Sequence, residues 1–439
     1  MLTRGLDRRT FVKTAAVGLA APYFIPASSF GRGGRVGPNE RIGLGFIGCG
    51  KRAGELMDSF LQREDVRVIA VCDVDTKRRE HMRKLVMQKD GMGGGFAACA
   101  AENDYRELLG NAAVDAVVIS TPDHWHASQV IDSAKAGKDI YCEKPLSLNV
   151  REAKAMIDAV RKHDRVFQTG SQQRTEFGGR FVKACEFVRS GRIGQIVCVQ
   201  VGVPTKDKVG CTSVPCDLPE EKVEEGLDWD RWLGPAPMRG YNSVLSPRGV
   251  HDHYPDWRLY REYSGGMLTD FGAHHFDIAQ WGLDMDKSGP VWVEPPADGK
   301  SGYGARLRYA SGIEVIHGGP TGITFVGSEG QLWVNRDETR ANPDSIIKDE
   351  IKEGEVRLPR AKSHIDNWIE CVRSRSRPIC DIEVGARSVA CCHLTNLAYW
   401  HRRALKWDPV KWEFSDDAEA NGWRDYKDRR RAGYELPSA

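Results

Sequence analysis

The sequence predicts an α/β domain built on a parallel, doubly wound sheet, followed by an α+β domain with a mostly antiparallel sheet. From Arg41 to Ser171, short apolar segments alternate with amphipathic ones, a pattern typical of parallel strands joined by helices. Beyond Ser171, several apolar segments alternate with polar residues and are joined by turns, which indicates antiparallel hairpins. The chain has 439 residues, more than one compact core usually holds.

Residues 1–38 are predicted to be an export signal and are left out of the fold. Arg8 and Arg9 precede Phe11 and a mildly apolar stretch, the order found in twin-arginine signals. The alternative is a basic, disordered N-terminus. Cleavage near 27–29 and an uncleaved anchor both stay open, because no clear Ala-x-Ala site is present. The predicted location is therefore periplasmic, or exported by the twin-arginine pathway.

The first domain is predicted to span residues 39–171. Its glycine-rich segment 90–103 has no periodicity and is predicted as a loop. The remaining segments have the lengths and apolar patterns of alternating strands and helices. The predicted strands are 41–50, 66–75, 114–122, 138–145 and 165–172, and the predicted helices are 51–62, 126–137 and 149–163.

The second domain is predicted to span residues 172–406, with a C-terminal tail at 407–439. Its central feature is a pair of hairpins that flank short glycine turns. A long polar loop separates its first strand from these hairpins and ends near Tyr263. The predicted elements are a helix at 177–191, a strand at 195–203, hairpins at 305–319 and 323–336, and helices at 362–374 and 384–405.

Charge and hydropathy argue against two kinds of partner. The 63 Lys and Arg residues nearly balance the 61 Asp and Glu residues, so no long-range field favours a nucleic acid. No apolar run is long enough to cross a bilayer, so no stable membrane insertion is predicted.

A glycine-rich turn follows the first strand and predicts a phosphate-binding loop. Gly48, Gly50 and Ala53 fit the Gly-x-Gly-x-x-Gly/Ala pattern at a strand-to-helix junction, and Lys51 and Arg52 lie in the first helical turn. Free backbone N–H groups and the helix dipole favour a pyrophosphate there. An overlapping match five residues earlier lies inside the strand. The alternative is a glycine turn that binds nothing.

Asp73 ends the second strand, 23 residues after Gly50, and predicts NAD as the dinucleotide. A carboxylate at this place accepts hydrogen bonds from both ribose hydroxyls and repels a 2′-phosphate. The basic run 77–79 follows closely, so NADP stays open.

Lys144 is a candidate active-site residue, because it follows a predicted buried strand. In a doubly wound sheet, ligands bind beyond the carboxyl ends of the strands, where Lys144 and segment 120–127 both lie. A lysine beside a nicotinamide can hydrogen-bond the reacting oxygen and move its proton. The alternative is a solvated lysine at a strand end.

A second candidate group lies in the second domain. Asp270, His274 and Asp277 have the i, i+4, i+7 spacing that places them on one face of a helix. A carboxylate one turn from an imidazole can fix its tautomer and raise its basicity. The alternative is a helix-start aspartate and a core histidine.

Taken together, these segments resemble the Gfo/Idh/MocA family of NAD(P)-dependent sugar oxidoreductases. Its Glu-Lys-Pro motif matches Glu143-Lys144-Pro145, with Lys144 at the catalytic lysine. Its Asp-x-x-x-His motif matches Asp270 and His274. The turn "STPDHWH" is similar to the family's nicotinamide-lining segment, with Pro122 and His126 in matching places.

The resemblance covers residues 40–400 and implies a Rossmann domain followed by an open, mostly antiparallel sheet that bounds a sugar site. It implies that His274, oriented by Asp270, exchanges the hydroxyl proton while Lys144 polarises the oxygen. The predicted cofactor contacts are Gly48, Gly50, Lys51, Arg52, Ala53, Asp73, Ser120, Thr121, Pro122, His126 and Glu143. The predicted substrate contacts are Arg174, His251, His253, Trp257, Arg258, His275 and Asp277.

Metal and disulfide chemistry are weighed separately. His251 and His253, with the pair at 274–275, could suggest a metal site, but the resemblance accounts for the second pair, so no metal is predicted. No Cys-x-x-Cys pair occurs among the twelve cysteines. A disulfide between Cys211 and Cys216 is left open.

The predicted function is hydride transfer between a tightly held NAD, or NADP, and a secondary hydroxyl of a sugar or glycoside. An exported enzyme has no pool of free cofactor, so retention and a redox-neutral cycle are expected. Two alternatives stay open: an NAD-assisted glycosidase acting by transient oxidation, and a non-catalytic sugar-binding protein. Open sheets of this family are often covered by another subunit, so a homodimer or homotetramer is expected.

Overall fold

A six-stranded parallel sheet forms the centre of the first domain in the computed structural model, which describes residues 40–91, 99–205, 210–425 and 430–439. The predicted export signal at 1–38 lies outside the described residues. The strands of the sheet are β1 (Ile42–Ile47), β2 (Val66–Cys72), β3 (Ala100–Glu102), β4 (Ala116–Ile119), β5 (Asp139–Cys142) and β6 (Phe167–Thr169).

The strand order is β3-β2-β1-β4-β5-β6, and every described pair is parallel. β1, β4 and β5 are buried on both faces, which explains their continuous apolar sequences. The order reverses between β1 and β4, where a doubly wound sheet binds its ligands. The helices of this domain are α1 (Lys51–Leu61), α2 (Thr76–Gly91), α3 (Tyr105–Gly110), α4 (Asp123–Lys135) and α5 (Val150–Lys162).

The prediction of a loop throughout segment 90–103 is wrong at its end. Residues 100–102 form β3, the edge strand, which pairs with β2 from Ala70 to Cys72. Three half-buried residues are too few to show an alternating pattern, so neighbouring β2 rather than local sequence defines this strand.

The second domain contains an eight-stranded, mostly antiparallel sheet, so the predicted fold class is confirmed. β7 pairs with the long strand β10 on both sides of a bend at 318–320. Gly202 lies at this bend, where a Cβ would approach the carbonyl oxygen of Pro320 to 1.9 Å. The strands are β7 (Ile196–Gly202), β8 (Trp292–Glu294), β9 (Arg306–Arg308), β10 (Glu314–Gly327), β11 (Gln331–Val334), β12 (Thr339–Asn342), β13 (Leu405–Asp408) and β14 (Glu413–Phe414).

Helices of the second domain join it to the first. Its α-helices are α6 (Arg180–Arg189), α7 (Trp229–Leu233), α8 (Met267–Asp270), α9 (Gly272–Gly282), α10 (Ser345–Lys348), α11 (His364–Ser374), α12 (Ile382–His401) and α13 (Ala418–Gly422). Three 3-10 helices are Gln172–Arg174, Phe177–Gly179 and Asp256–Leu259. α12 is buried along most of its length and contacts α5, α8 and α9. α9 is buried along its whole length, as expected of a helix that is apolar nearly all round.

The segment beyond β13 returns to the first domain. Arg430 forms a buried ion pair with Glu152 of α5, and the ring of Tyr434 lies 5.7 Å from that of Trp125 in α4. These contacts hold the chain near 430–434 against the helices that flank the parallel sheet.

Two further features concern membranes and thiols. None of the helices within the described residues is long and apolar enough to cross a membrane. All twelve cysteines are free thiols, so the disulfide left open between Cys211 and Cys216 is absent. Cys211 instead lies 3.6 Å from the Tyr303 hydroxyl, and Cys216 contacts Arg239.

Arg174 and Asp277 form a buried ion pair that fastens α9 to the 3-10 helix before α6. The Arg174 side chain is 1% exposed, and its Nε and Nη2 donate to the Asp277 carboxylate at 2.8 and 2.9 Å. Asp286 accepts two more bonds from Arg174, and the Ser388 hydroxyl donates to Asp277 at 2.8 Å. The prediction that Arg174 and Asp277 contact substrate is therefore wrong, because these charges bind each other inside the core.

The Arg174→Met substitution is expected to lower the free energy of unfolding by about 3–5 kcal/mol, because it leaves a carboxylate buried without its cation. Urea unfolding of the full chain measures this loss. Arg189→Met, which breaks a pair with the exposed Asp284, is the matched control and should cost no more than about 1 kcal/mol, because the freed carboxylate stays in water. Equal stability of the two variants would contradict a structural role for Arg174.

Candidate active site

A first cavity borders the carboxyl ends of β1, β2 and β4, at the point where the strand order reverses. Its empty space, which is continuous with open solvent, is about 960 Å³. Most of the predicted cofactor residues line it: Gly48, Gly50, Lys51, Arg52, Asp73, Ser120, Thr121 and Pro122. Of the other three, Ala53 is buried inside α1 and Glu143 lines a neighbouring cavity. His126 is buried between Thr121 and Pro145 and contacts the carbonyl oxygen of each.

The turn between β1 and α1 has the shape required to bind a phosphate. Gly48 has a φ of +90°, and a Cβ there would lie 2.8 Å from the backbone of Ser120. Gly50 caps the N-terminus of α1, and a Cβ on it would meet no atom within 4 Å. The Ser120 hydroxyl is buried without a hydrogen-bond partner in the described structure. A glycine turn, an open helix N-terminus and an orphaned hydroxyl together fit a dinucleotide.

Asp73 faces the same cavity and is held in place by backbone groups. Its carboxylate accepts hydrogen bonds from Cys49 N at 2.7 Å and from Asp75 N at 2.8 Å. The basic run after it is engaged elsewhere. Lys77 pairs with Glu224, Arg78 donates to carbonyls of the second domain, and Arg79 donates to the Asp73 carbonyl and to Asn103.

Aromatic side chains form part of the wall of the first cavity. Tyr105 and Trp125 lie with ring centroids 5.8 Å apart, and Tyr434 packs edge-on against Trp125. Arg106 lies over the Tyr105 ring at 4.6 Å. Tyr434 comes from the segment predicted only as a tail, so no local motif could assign it to this site.

A segment at 246–258, named here the strap, crosses from the second domain over the first cavity. Arg78 donates to the carbonyl of Pro247 and Lys51 donates to that of Asp252. The Tyr254 hydroxyl donates to Glu55 in α1 at 2.8 Å. These contacts hold the strap against α1 and α2.

Two residues predicted to contact substrate, His251 and His253, lie on the strap. His251 lines the first cavity, and its Nδ1 lies 2.9 Å from the His253 carbonyl. His253 is exposed and lines neither cavity, and His251 lines the first cavity but not the one that contains the predicted catalytic residues. Among residues 40–91, 99–205, 210–425 and 430–439, no group of three His, Cys, Asp or Glu side chains could hold a metal ion.

A second cavity, with about 1470 Å³ of empty space, adjoins the first. Ser120, Thr121, Trp257 and Arg258 line both cavities. The three predicted catalytic residues, Lys144, Asp270 and His274, all line the second one. Lys144 follows β5 and His274 lies in α9, so the two domains each contribute one group.

Asp270 binds Lys144 directly. Nζ of Lys144 donates to the Asp270 carboxylate at 2.5 Å and to its carbonyl oxygen at 3.0 Å. Nε of Arg258 lies 3.8 Å from the same carboxylate. The sequence predicted that Asp270 orients His274, whereas in the structure this carboxylate fixes the position of the ammonium.

His274 is held in its neutral form. Burial lowers its pKa well below the usual range, and the positive charges of Lys144 and Arg336 lower it further. Its Nδ1 is buried without a hydrogen-bond partner among the described residues. A neutral imidazole in a cavity can accept a proton from a hydroxyl group.

Glu143 joins the turn after β5 to α1. Its carboxylate accepts hydrogen bonds from Nε of Arg52 at 2.8 Å and from Gln172 at 2.9 Å. Burial raises its pKa, but the charges of Arg52 and Lys144 outweigh burial and lower the pKa overall. Glu143 therefore remains a buried anion that positions the neighbouring lysine.

Two predicted ligand-binding histidines support loops instead. His126 contacts the carbonyls of Pro145 and Thr121 at 2.8 and 2.9 Å, which ties together the loops after β5 and β4. Nδ1 of His275 lies 2.7 Å from the Gly202 carbonyl. Both rings are buried and line neither cavity. The predictions that His126 contacts the cofactor and that His275 contacts the substrate are therefore wrong.

The sequence reading missed Asp123, a buried acid in the second cavity. The Ser264 hydroxyl donates to its carboxylate at 2.6 Å. Burial raises the pKa of Asp123 to about 7, although Ser264 and the charge of Arg258 oppose the rise. The sequence placed segment 120–127 at this edge of the sheet but assigned Asp123 no role of its own. In the structure Asp123 is the first residue of α4, and its burial is what distinguishes it.

Family comparison covers most of the chain. Residues 42–171 match the family model GFO_IDH_MocA, described as "Oxidoreductase family, NAD-binding Rossmann fold". Residues 182–434 match the model described as "Oxidoreductase family, C-terminal alpha/beta domain".

Individual relatives include sugar-active proteins. An alpha-N-acetylgalactosaminidase from Shewanella oneidensis is 30% identical over 213 residues, which is 44% of each chain. The match thus spans less than half the length of that relative. A 1,5-anhydro-D-fructose reductase from Ensifer adhaerens is 27% identical over 283 residues, covering 60% of this chain and 71% of the reductase.

The WlbA dehydrogenase of Bordetella pertussis, solved in complex with NADH and UDP-GlcNAcA, has a similar structure. Its TM-score is 0.58 at 17% identity, over 84% of this chain and 99% of that one. At this identity the likeness concerns the fold alone.

The raised pKa of Asp123 predicts a pH-dependent change in stability on replacement by asparagine. Between about pH 4 and 7 the unfolded chain loses this proton while the folded protein keeps it, so wild-type stability falls as pH rises. Asp123→Asn cannot ionise and keeps an oxygen for Ser264. Relative to wild type, it should gain about 2–3 kcal/mol in unfolding free energy between pH 5 and pH 8.

Urea unfolding at the two pH values measures this gain. Asp58→Asn, at an exposed carboxylate, is the matched control and should show no such change. A constant difference between Asp123→Asn and wild type would contradict the neutral form of Asp123.

Proposed function

The chain belongs to the Gfo/Idh/MocA oxidoreductase family, and from this premise we propose that it transfers hydride between a tightly held NAD and a secondary hydroxyl of a sugar or glycoside. One observation carries the proposal. Lys144 and His274, from different domains, line a single cavity that adjoins the proposed dinucleotide cleft at Ser120 and Thr121. A small alcohol bound there would reach both groups.

Oxidation of a secondary alcohol removes a hydride from carbon and a proton from oxygen, and a bound nicotinamide supplies the hydride acceptor. The neutral imidazole of His274 takes the hydroxyl proton. The ammonium of Lys144, held by Asp270, donates a hydrogen bond to the oxygen as the carbonyl forms. In the reverse direction, the same groups return the proton.

NAD is proposed in preference to NADP because of the groups near Asp73. Its carboxylate faces the cavity where a ribose would bind, and a 2′-phosphate would meet this negative charge. Lys77, Arg78 and Arg79 are engaged by other groups of the protein. Arg78 lines the same cavity, but its guanidinium donates to the carbonyls of Pro247 and Gly249.

A second candidate is a glycosidase that oxidises its substrate transiently. The similarity to an alpha-N-acetylgalactosaminidase and the presence of Asp123 in the second cavity both favour it. A carboxyl with a pKa of about 7 is protonated often enough at neutral pH to act as an acid toward a leaving sugar. In such a cycle a base would remove the proton beside the transient ketone, and the bond to the leaving sugar would break as Asp123 protonates its oxygen. Water would then add to the resulting double bond, and return of the hydride would restore the alcohol, so that no NAD is consumed overall.

We further propose that the protein is exported through the twin-arginine pathway with its cofactor already bound. A retained cofactor must be restored in every cycle, so the net reaction would be redox-neutral. Either one sugar is oxidised while another is reduced, or a glycoside is oxidised only transiently. A homodimer or homotetramer that covers the open sheet is also proposed, and light scattering of the purified protein tests it.

A panel of sugars and glycosides distinguishes these functions. A lasting change in nicotinamide absorbance supports net dehydrogenation, whereas release of a leaving sugar without such a change supports the glycosidase. Binding of a sugar with neither signal would support a non-catalytic binding protein and overturn the enzyme proposal.

Lys144→Ala is expected to lower kcat at least about 100-fold, because the developing charge on oxygen loses its donor. Cofactor content, read from nicotinamide absorbance after gel filtration, should stay within about 2-fold of wild type. Lys135→Ala, at an exposed position in α4, is the matched control. Unchanged turnover in Lys144→Ala would contradict the assigned role.

Purified wild-type protein is expected to retain nicotinamide absorbance through dialysis. Tyr434→Ala should release the cofactor roughly 3- to 10-fold faster, because an edge-on aromatic contact at the cavity wall is lost. Tyr303→Ala, which lines neither cavity, is the control. A cofactor-free wild-type preparation would count against retention, and equal release rates would count against Tyr434.

A further inference from the structure

Arg336 lies at the wall of the second cavity in an unusual setting. Its Nε donates to the Gln173 side chain at 3.1 Å. The guanidinium lies over the rings of Phe177 and Phe271, with its central carbon 4.9 and 4.7 Å from their centroids. Both rings also line the cavity. The side chain is therefore held in place while the two terminal nitrogens form no described hydrogen bond.

Every other cation of this cavity has a carboxylate partner. Arg52 pairs with Glu143 at 2.8 Å, and Lys144 pairs with Asp270 at 2.5 Å. Arg258 lies 3.8 Å from Asp270. Within the part of the chain that the structure describes, Arg336 has no carboxylate at ion-pair distance. Among the described residues of the second cavity, Arg336 is thus the cation without an ion-pair partner, and Asp270 and Asp337 act on it only from beyond ion-pair distance.

A half-buried cation without an ion-pair partner is unfavourable. Burial lowers the pKa of Arg336 and repulsion by Arg52 adds to this effect, while the more distant charges of Asp270 and Asp337 oppose it only in part. A side chain that only packs between two phenyl rings does not need a charge. An aliphatic side chain would fill the same space without the cost of desolvating a cation. The planar fork of a guanidinium is instead well matched to an oxyanion with two oxygens in one plane.

We propose that Arg336 binds an oxyanion on the substrate, so that the sugar oxidised here is an acidic one, carrying a carboxylate such as that of a uronic acid. The proposal rests on the proposed sugar-oxidising function and narrows its substrate class. Arg336 contacts the non-reacting substituent, while Lys144 and His274 act on the hydroxyl. Arg336 and His274 line the same cavity, so one bound sugar can contact both.

Direct binding tests the proposal with the purified holoenzyme. Titration calorimetry compares galacturonate and glucuronate with galactose and glucose, and with the corresponding hexose 6-phosphates and 6-sulfates. At least one acidic sugar should bind about 10-fold or more tightly than its neutral parent, since hydrogen bonds to charged groups are strong. Preference for the uronate assigns a carboxylate, whereas preference for the phosphate or sulfate assigns that oxyanion.

Arg336→Gln is expected to weaken binding of the preferred acidic sugar about 10- to 100-fold and to leave the neutral sugar within about 3-fold. Arg336→Lys should recover part of the loss, because it keeps the charge without the fork. Arg340→Gln, at an exposed arginine paired with Glu338 in β12, is the matched control. Nicotinamide content and thermal unfolding establish that each variant is folded.

Three results would overturn the proposal: equal affinity for acidic and neutral sugars, equal weakening of both by Arg336→Gln, or no binding of any acidic sugar. Failure of the proposed function gives a different result. In that case acidic sugars bind and Arg336→Gln weakens their binding, but no sugar changes the nicotinamide signal and no sugar is released as product.

Discussion

The ion pair between Lys144 and Asp270 joins the two domains at the point where their cavities meet. Lys144 follows a strand of the parallel sheet, and Asp270 ends a short helix of the second domain. This contact places an ammonium from one domain near an imidazole from the other, which neither domain could achieve alone. Most other features of the site support it. Arg52 and Glu143 fix the turn that carries Lys144, and His126 ties that turn to the loop after β4.

The cavity keeps its ionisable groups in different states although they lie close together. Glu143 stays charged because Arg52 and Lys144 lie beside it. His274 stays neutral because it is buried among positive charges. Burial raises the pKa of Asp123 to about 7. A proton acceptor, a fixed hydrogen-bond donor and a potential proton donor therefore coexist in one small volume. Arg336 departs from this pattern of compensation, and for this reason it carries the inference about substrate charge.

Sequence patterns predicted the fold class, the buried parallel strands and the amphipathic helices, because these have strong periodicities. They did not predict α2, which has almost no amphipathic pattern, or the short strands β8, β12, β13 and β14. The prediction missed β3 because a strand of three residues is too short to show an alternating pattern. The site residues that motifs identified are those at strand ends and in the glycine turn. Arg174, Asp277, His126 and His275 have the chemistry of ligand contacts, but their partners lie far away in sequence, and these partners turn them into supports of the core. Tyr434 and Arg336 were missed because only the assembled structure brings them to the cavities. Asp123 belongs to segment 120–127, which the sequence placed at the ligand edge, but its burial and its bond to Ser264 arise only in the folded protein.

The position of Tyr434 has a consequence for biogenesis. The dinucleotide cleft begins at the glycine turn near the start of the first domain, yet one of its walls is translated several hundred residues later. When only the parallel sheet has left the ribosome, the cleft is incomplete, because the wall that Tyr434 forms has not yet been made. Coenzyme loading is therefore expected to be a late event in maturation, after the C-terminal segment has docked on α4.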